Sequence, residues 1–139
     1  TRNRGFGAEV RRRIILGTYA LSAGYFDKFF LKAAKIANLV KREFRRALEQ
    51  FDLIAGPTMP FPAFKLGEKI NDPLSLYRSD VDTVPINLAG LPAISLTCSV
   101  QNGLPIGMQL IASPFQEDLL LRTAFALEKK FDITQRPQL

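Results

Sequence analysis

The residues of this chain with the clearest potential for ligand chemistry are three adjacent arginines, Arg11, Arg12 and Arg13. A guanidinium offers two parallel donors to a planar carboxylate. The arginines fall in a predicted helix, where successive residues are about 100° apart, so they fan over more than half of the circumference. At most one or two of them can therefore serve one site, and their spacing alone favours a solvated or ion-pairing role over ligand binding.

Asp80 is the second candidate. It follows Ser79 and precedes a predicted helix over residues 81–90, which Gly90 closes. A short polar side chain at this position is typical of a helix cap or a first-turn residue, because it can accept a main-chain N–H or favour the positive end of the helix dipole. Taken alone, Asp80 therefore indicates a structural role before a functional one.

Several kinds of site are excluded by residue counts. The chain contains no histidine, so a Ser-His-Asp or Cys-His mechanism and a histidine-ligated metal site cannot be assembled from it. The one cysteine, Cys98, cannot form an internal disulfide, and its place in an alternating apolar run indicates a small core residue rather than a reactive thiol.

The composition predicts one compact domain, or part of one. The chain has 139 residues, of which 47% are hydrophobic, and carries a net charge of +6. Many basic residues lie along one predicted helix between apolar positions, which favours a solvated helix face over a surface for a polyanion. No apolar run approaches the roughly 20 residues that cross a bilayer, so we expect a soluble, intracellular protein that binds no membrane.

Hydrophobic periodicity predicts the order helix, helix, strand, loop, short helix, hairpin, helix, which is an α/β arrangement. Asn102-Gly103 between two alternating runs predicts the hairpin turn, and Ser113-Pro-Phe-Gln116 has the form of a capping box. The remaining predicted elements are a helix over 7–22 that stops at Ala23-Gly24, a helix over about 25–50, a strand over 52–56 and a loop of about 20 residues after it.

The long second helix has an apolar stripe that a small hairpin region cannot fully cover. Its members are Phe26, Phe30, Ala33, Ala37, Val40 and Phe44. We therefore expect that a larger sheet normally lies beneath these helices, and that the chain alone exposes apolar surface or self-associates.

Three motifs resemble one known family. They are Thr83-Val-Pro-Ile-Asn-Leu-Ala-Gly-Leu-Pro-Ala-Ile-Ser95, Gly103-Leu-Pro-Ile-Gly-Met-Gln-Leu-Ile111 and Gly5-Phe-Gly-Ala-Glu-Val-Arg-Arg-Arg-Ile-Ile-Leu-Gly-Thr-Tyr-Ala-Leu-Ser-Ala-Gly24. The chain resembles the amidase signature family and, within it, the A subunits of the glutamyl-tRNA(Gln)/aspartyl-tRNA(Asn) amidotransferases. The resemblance implies a mixed sheet wrapped by helices, with residues 1–139 as the C-terminal portion of a single amidase domain.

The resemblance also implies what these residues lack and what they supply. The family's Ser, cis-Ser, Lys triad lies in upstream segments that are absent here, so no catalytic residue is expected and the chain alone should be inactive. Arg13 falls where the A subunits hold the α-carboxylate of glutamine, and Asp80 falls where they bind its α-ammonium. Thr58 lies in a segment that resembles one bordering the family's pocket, although turn chemistry explains that segment equally well. Leu96-Thr-Cys-Ser99 departs from the family pattern, which tends to carry a Pro and a Gly there.

The function implied by the resemblance is glutamine hydrolysis that supplies ammonia for amidation of misacylated tRNA. Its partners are then glutamine, subunits B and C, and misacylated tRNA through the partner subunit, in the cytoplasm or an organellar matrix. No cofactor is expected in this chain, whereas ATP and Mg belong to the partner subunit. Two alternatives stay open, which are another amidase signature hydrolase and a noncatalytic basic helical module that docks a partner.

Overall fold

The computed structural model describes residues 5–22, 24–69 and 72–133. It divides into two compact units, residues 1–39 and 40–139. Ala23, part of the predicted stop of the first helix, lies outside the described residues.

The first unit is helical. Helix α1 spans Ala8–Ala20, which confirms the helix predicted over 7–22. A π-helical segment, Phe26–Leu31, then runs directly into helix α2, Lys32–Leu48, whose residues after Leu39 belong to the second unit. The long helix expected over about 25–50 is therefore present, but its first turns are wider than an α-helix, a change that periodicity does not reveal.

Apolar side chains along these helices are largely exposed. Phe26 and Phe30 stack at 4.8 Å between ring centroids, yet they keep 39% and 44% of their surface exposed. None of the described residues of α1, the π-helical segment or α2 is buried. In the described part of the chain, no helix is long and apolar enough to span a membrane.

The second unit is built on an antiparallel sheet of three strands in the order β1-β3-β2. The strands are β1, Leu53–Pro57, β2, Ala93–Gln101, and β3, Leu104–Ala112. The predicted hairpin is confirmed, since Asn102 and Gly103 form its turn with φ angles of 53° and 78°. Two successive positive φ values match the twist of the flanking strands, and Asn and Gly adopt them at low cost.

One face of the sheet is covered by helix α5, Glu117–Phe131. The core between them consists of Leu110, Ala112, Leu120 and Ala124. Because side chains alternate along a strand, the neighbours Gly107, Gln109 and Ile111 point to the opposite face. The predicted capping box is wrong, since Gln116 is the N-cap of α5 and makes no side-chain cap hydrogen bond.

Two short helices lie between β1 and β2, where the sequence predicted a loop followed by one helix over 81–90. Helix α3, Pro73–Arg78, was not predicted, and helix α4 covers only Val84–Ala89. The prediction that Ser79 or Asp80 caps the later helix is wrong, because Ser79 is the C-cap of α3 and Thr83 is the N-cap of α4. Gly90 does close α4 in the left-handed conformation, as predicted.

The β2–β3 ladder is irregular between Thr97 and Ser99, where Cys98 has no partner in the register. This bulge falls in the segment where the sequence departs from the family pattern. The Sγ atom of Cys98 donates a weak hydrogen bond to the carbonyl oxygen of Ile106 at 3.5 Å. Its half-buried position agrees with a small packing residue.

Candidate functional site

The sheet face opposite α5 carries a pair of hydroxyl groups. The Oγ1 atom of Thr58 and the Oγ atom of Ser95 lie 2.7 Å apart. The main-chain N–H of Thr58 also donates to the carbonyl oxygen of Gly107 at 3.0 Å, which extends the β1–β3 pairing by one residue. A Cβ atom on Gly107 would stand 2.9 Å from Thr58 Oγ1 and 3.3 Å from Ser95 Oγ. Glycine at position 107 therefore leaves the room that this pair needs.

The hydroxyl pair borders a cavity of about 560 Å³. Proline, phenylalanine and other apolar side chains form most of its wall, and Thr58, Ser95 and Gln101 supply polar groups. The lining residues are Thr58, Met59, Pro60, Phe61, Pro62, Ala63, Phe64, Ser95, Gln101, Pro105, Ile106 and Gly107. A mostly apolar wall with a few polar groups is typical of a small-molecule site.

The loop that forms much of this wall is held by aromatic contacts. The Lys69 ammonium lies 3.4 Å from the ring centroid of Phe61 and 4.3 Å from that of Phe64. The two rings meet nearly edge to face at 6.2 Å. Such contacts stabilise exposed loops by about 0.5–1 kcal/mol each, so the loop has its own local order.

Gln109 joins two segments on this face of the sheet. Its Nε2 atom donates to the carbonyl oxygen of Pro57 at 2.8 Å and to that of Asp82 at 2.9 Å. Gln109 keeps only 6% of its surface exposed. The same turn contains a buried carboxylate oxygen, Asp82 Oδ2, that has no hydrogen-bond partner in the described part of the chain.

Asp80 lies in the turn between α3 and α4. Its main-chain carbonyl accepts hydrogen bonds from the N–H groups of Thr83 and Val84 at 3.1 and 2.9 Å. The side chain is exposed, and its carboxylate makes no hydrogen bond or ion pair within the described residues. Asp80 thus shapes the turn through its backbone and leaves its charge available.

Arg13 lies on α1 in the first unit. Its Nε atom donates to Glu9 Oε1 at 2.9 Å, and Arg12 Nη1 donates to Glu9 Oε2 at 2.7 Å. The side chains of both arginines are at least half exposed. This agrees with the ion-pairing role that the spacing favours. Arg13 and Asp80 belong to different units of the chain.

The sequence that builds this site matches a known family. The family model described as Amidase matches residues 1–121 of the chain. The chain belongs to the amidase family.

Curated relatives extend this similarity over nearly the whole amidase-family chain. The A subunit of glutamyl-tRNA(Gln) amidotransferase from Methanosarcina mazei is 59% identical over 138 residues, which are 99% of this chain and 29% of that protein. The protein of the same name from Moorella thermoacetica is 55% identical over 140 residues, covering 100% of this chain and 29% of that protein. The chain therefore spans under a third of the length of these relatives.

A solved structure gives the same result for the fold. The crystal structure of the glutamyl-tRNA(Gln) amidotransferase A subunit from Thermotoga maritima superposes with a TM-score of 0.72 at 46% sequence identity. The match covers 92% of this chain and 28% of that one. The α/β class and the amidase signature fold predicted from the sequence are thereby confirmed.

Two features of this region were not predicted from the sequence. The Asp72-Pro73 pair marks the start of α3, since Asp72 Oδ1 accepts from the N–H of Ser75 at 3.0 Å and Pro73 stands at the first helical position. That signal was available from cap preferences. Gln109 lies within one of the three motifs, but no local pattern indicates the two carbonyl groups that it binds.

Proposed function

We propose that this chain is the C-terminal region of the A subunit, the glutaminase component, of a glutamyl-tRNA(Gln) amidotransferase. The observation that carries the proposal is its high identity, along the whole chain, to curated A subunits of that enzyme. The complete protein hydrolyses glutamine through an acyl-enzyme. The ammonia passes to a partner subunit, which uses ATP and Mg to amidate misacylated Glu-tRNA(Gln) or Asp-tRNA(Asn).

In this reaction, residues 1–139 contribute to substrate recognition. Arg13 binds the α-carboxylate of glutamine, and Asp80 binds its α-ammonium. The exposed Asp80 carboxylate supports this assignment, because its turn is already held by main-chain hydrogen bonds. The nucleophile, the base and the oxyanion donors come from the rest of the amidase domain, of which residues 1–139 are the C-terminal portion.

The ion pair between Arg13 and Glu9 does not oppose this role. Exposed pairs at this spacing contribute only about 0.3–0.5 kcal/mol, so a ligand carboxylate can compete for the guanidinium.

The assembly proposed for the complete protein includes subunits B and C, and misacylated tRNA bound through the partner subunit. Its cellular location is the cytoplasm or, in a eukaryote, an organellar matrix.

Four basic residues on α2 are not needed for glutamine recognition, namely Lys41, Arg42, Arg45 and Arg46. They belong to a solvated helix face, where Arg46 already lies 3.6 Å from Glu43.

The experiment that tests the proposal is ammonia release by the complete protein, purified with its partner subunits, from glutamine and from an acetamide-type amide. We expect hydrolysis of glutamine and little hydrolysis of the simple amide, because only glutamine has the two charges that Arg13 and Asp80 recognise. Preference for the simple amide would instead assign the chain to another hydrolase of the amidase family.

A further inference from the structure

Gln109 is a buried polar residue in the middle of β3, on the sheet face opposite α5. Its side-chain NH₂ group has two hydrogens. One is directed to the carbonyl oxygen of Pro57 and the other to that of Asp82, at 2.8 and 2.9 Å. Both distances are those of well-formed hydrogen bonds, so the amide is fixed from both sides.

The two carbonyl groups belong to segments that carry the candidate site. Pro57 ends β1 and immediately precedes Thr58, whose hydroxyl borders the cavity. Asp82 lies two residues after Asp80, in the same turn between α3 and α4. Pro57 and Asp82 are 25 residues apart along the chain. The side chain of Gln109 binds both and so fixes the distance between the two segments.

We infer that Gln109 is the positioning residue that sets the Asp80 turn against the Thr58 segment for recognition of the substrate α-ammonium. The inference rests on the proposed function. Asp80 itself contributes only main-chain contacts within its turn, so the direction of its carboxylate depends on what anchors that turn. Gln109 provides an anchor from β3, which is the central strand of the sheet.

Loss of the two donors has a defined consequence. Both carbonyl oxygens would need new donors, and the turn would shift to reach water. A displacement of about 1 Å at a group that binds the substrate can reduce kcat/KM by about a hundredfold. The reduction should fall on substrates that have an α-ammonium, because Asp80 is the group displaced.

The test uses the complete protein with its partner subunits and two substrates, glutamine and glutaramate, which is the glutamine analogue without the α-amino group. Gln109→Met keeps the side-chain length and removes the donors. We expect kcat/KM for glutamine to fall about ten- to a hundredfold, mainly through KM, while kcat/KM for glutaramate changes little. Gln116→Met is the matched control, since Gln116 is exposed and no side-chain hydrogen bond caps α5 there.

A second variant, Gln109→Glu, tests the pH dependence of KM for glutamine, which a purely structural role of Gln109 would not change. Burial beside two carbonyl oxygens raises the pKa of the introduced carboxyl, and only its protonated form has a donor. The KM of this variant for glutamine should therefore decrease as the pH is lowered, more steeply than that of the wild type. A wild-type pH profile in the variant would contradict the inference.

The outcomes separate the inference from the function on which it rests. Suppose that the wild-type protein clearly prefers glutamine to glutaramate. If Gln109→Met then lowers kcat/KM for both substrates by the same factor, or changes neither value, Gln109 is only a structural residue. If the wild-type protein shows no such preference, the proposed α-ammonium site itself is wrong, and the inference falls with it.

Discussion

The hydroxyl oxygens of Thr58 and Ser95 lie 2.7 Å apart across 37 residues of sequence, at the edge of the cavity on the sheet face opposite α5. This pair exists because Gly107 has no side chain between them. Its main-chain carbonyl also receives the N–H of Thr58. The glycine thus makes room for the pair and binds one of its members.

Replacement of Gly107 by alanine should therefore destabilise the protein. The added Cβ would meet Thr58 Oγ1 at 2.9 Å and Thr58 Cβ at 3.1 Å, and the second atom cannot rotate away. We expect a loss of about 1–3 kcal/mol in the free energy of unfolding, measured by urea denaturation. Gly56→Ala on the neighbouring strand is the matched control, since nothing lies within 4 Å of its Cβ. Equal stability of the two variants would show that the crowding is relieved by a shift of the loop.

The proposed binding of glutamine by Arg13 and Asp80 predicts selective kinetic defects in the complete protein. Loss of one partner of a buried, hydrogen-bonded charge contact costs about 2–5 kcal/mol, which is on the order of 30-fold to several thousandfold in affinity. Arg13→Ala and Asp80→Ala should each lower kcat/KM for glutamine within this range, with little change in melting temperature.

The structure supplies two control variants for the test of Arg13 and Asp80. Arg12→Ala removes the other arginine that binds Glu9, and it should leave kcat/KM nearly unchanged. Asp72→Ala removes the cap of α3, so it should lower stability by about 1 kcal/mol without a selective effect on glutamine. Wild-type kcat/KM in both Arg13→Ala and Asp80→Ala would show that these two residues are structural.

A polypeptide of these 139 residues should release no ammonia from glutamine. The reason is that the family's nucleophile and base lie in segments that this sequence does not include. The measurement is ammonia release over a heat-treated control, with the complete protein as the positive reference. Activity above the control would mean that an unrecognised nucleophile lies within residues 1–139.

The same polypeptide should bind an apolar dye or self-associate. The aromatic side chains Phe26, Phe29 and Phe30 are each more than a third exposed on the π-helical segment, and apolar patches of several hundred Å² usually mark an interface. Sedimentation over a range of concentrations measures the association. Replacement of Phe26 and Phe30 by serine should reduce it, whereas a monomer without dye binding would contradict this prediction.

The tyrosine pair of the first unit gives a pH-dependent prediction. The side-chain hydrogen bond with Tyr25 raises the pKa of Tyr19 above its ordinary value of 10.0. A raised pKa means that the folded state favours the protonated phenol. The contribution of this hydrogen bond to the free energy of unfolding is therefore complete below pH 10, and it is lost as the pH rises through the raised pKa of Tyr19. Tyr25→Phe should lower the pKa of Tyr19, as followed by phenolate absorbance. An unchanged titration would show that the hydrogen bond does not form in solution.

Local patterns were sufficient for most elements of this fold. The period of apolar residues predicted α1 and α5, alternation predicted β2 and β3, and Asn102-Gly103 predicted the turn between them. These features depend on residues that are neighbours in sequence. The motifs also carried enough information to indicate the amidase family.

Other features depend on contacts between distant segments, and only the tertiary structure decided them. The side chain of Gln109 meets carbonyl groups 52 and 27 residues away, and Thr58 meets Ser95 through space that Gly107 leaves open. Asp80 looked like a cap because a helix was expected to begin beside it, whereas α4 begins at Val84 after a turn held by the Asp80 carbonyl. A sequence pattern reports periodicity along the chain, but a hydrogen bond across the sheet depends on which strands become neighbours when the core forms.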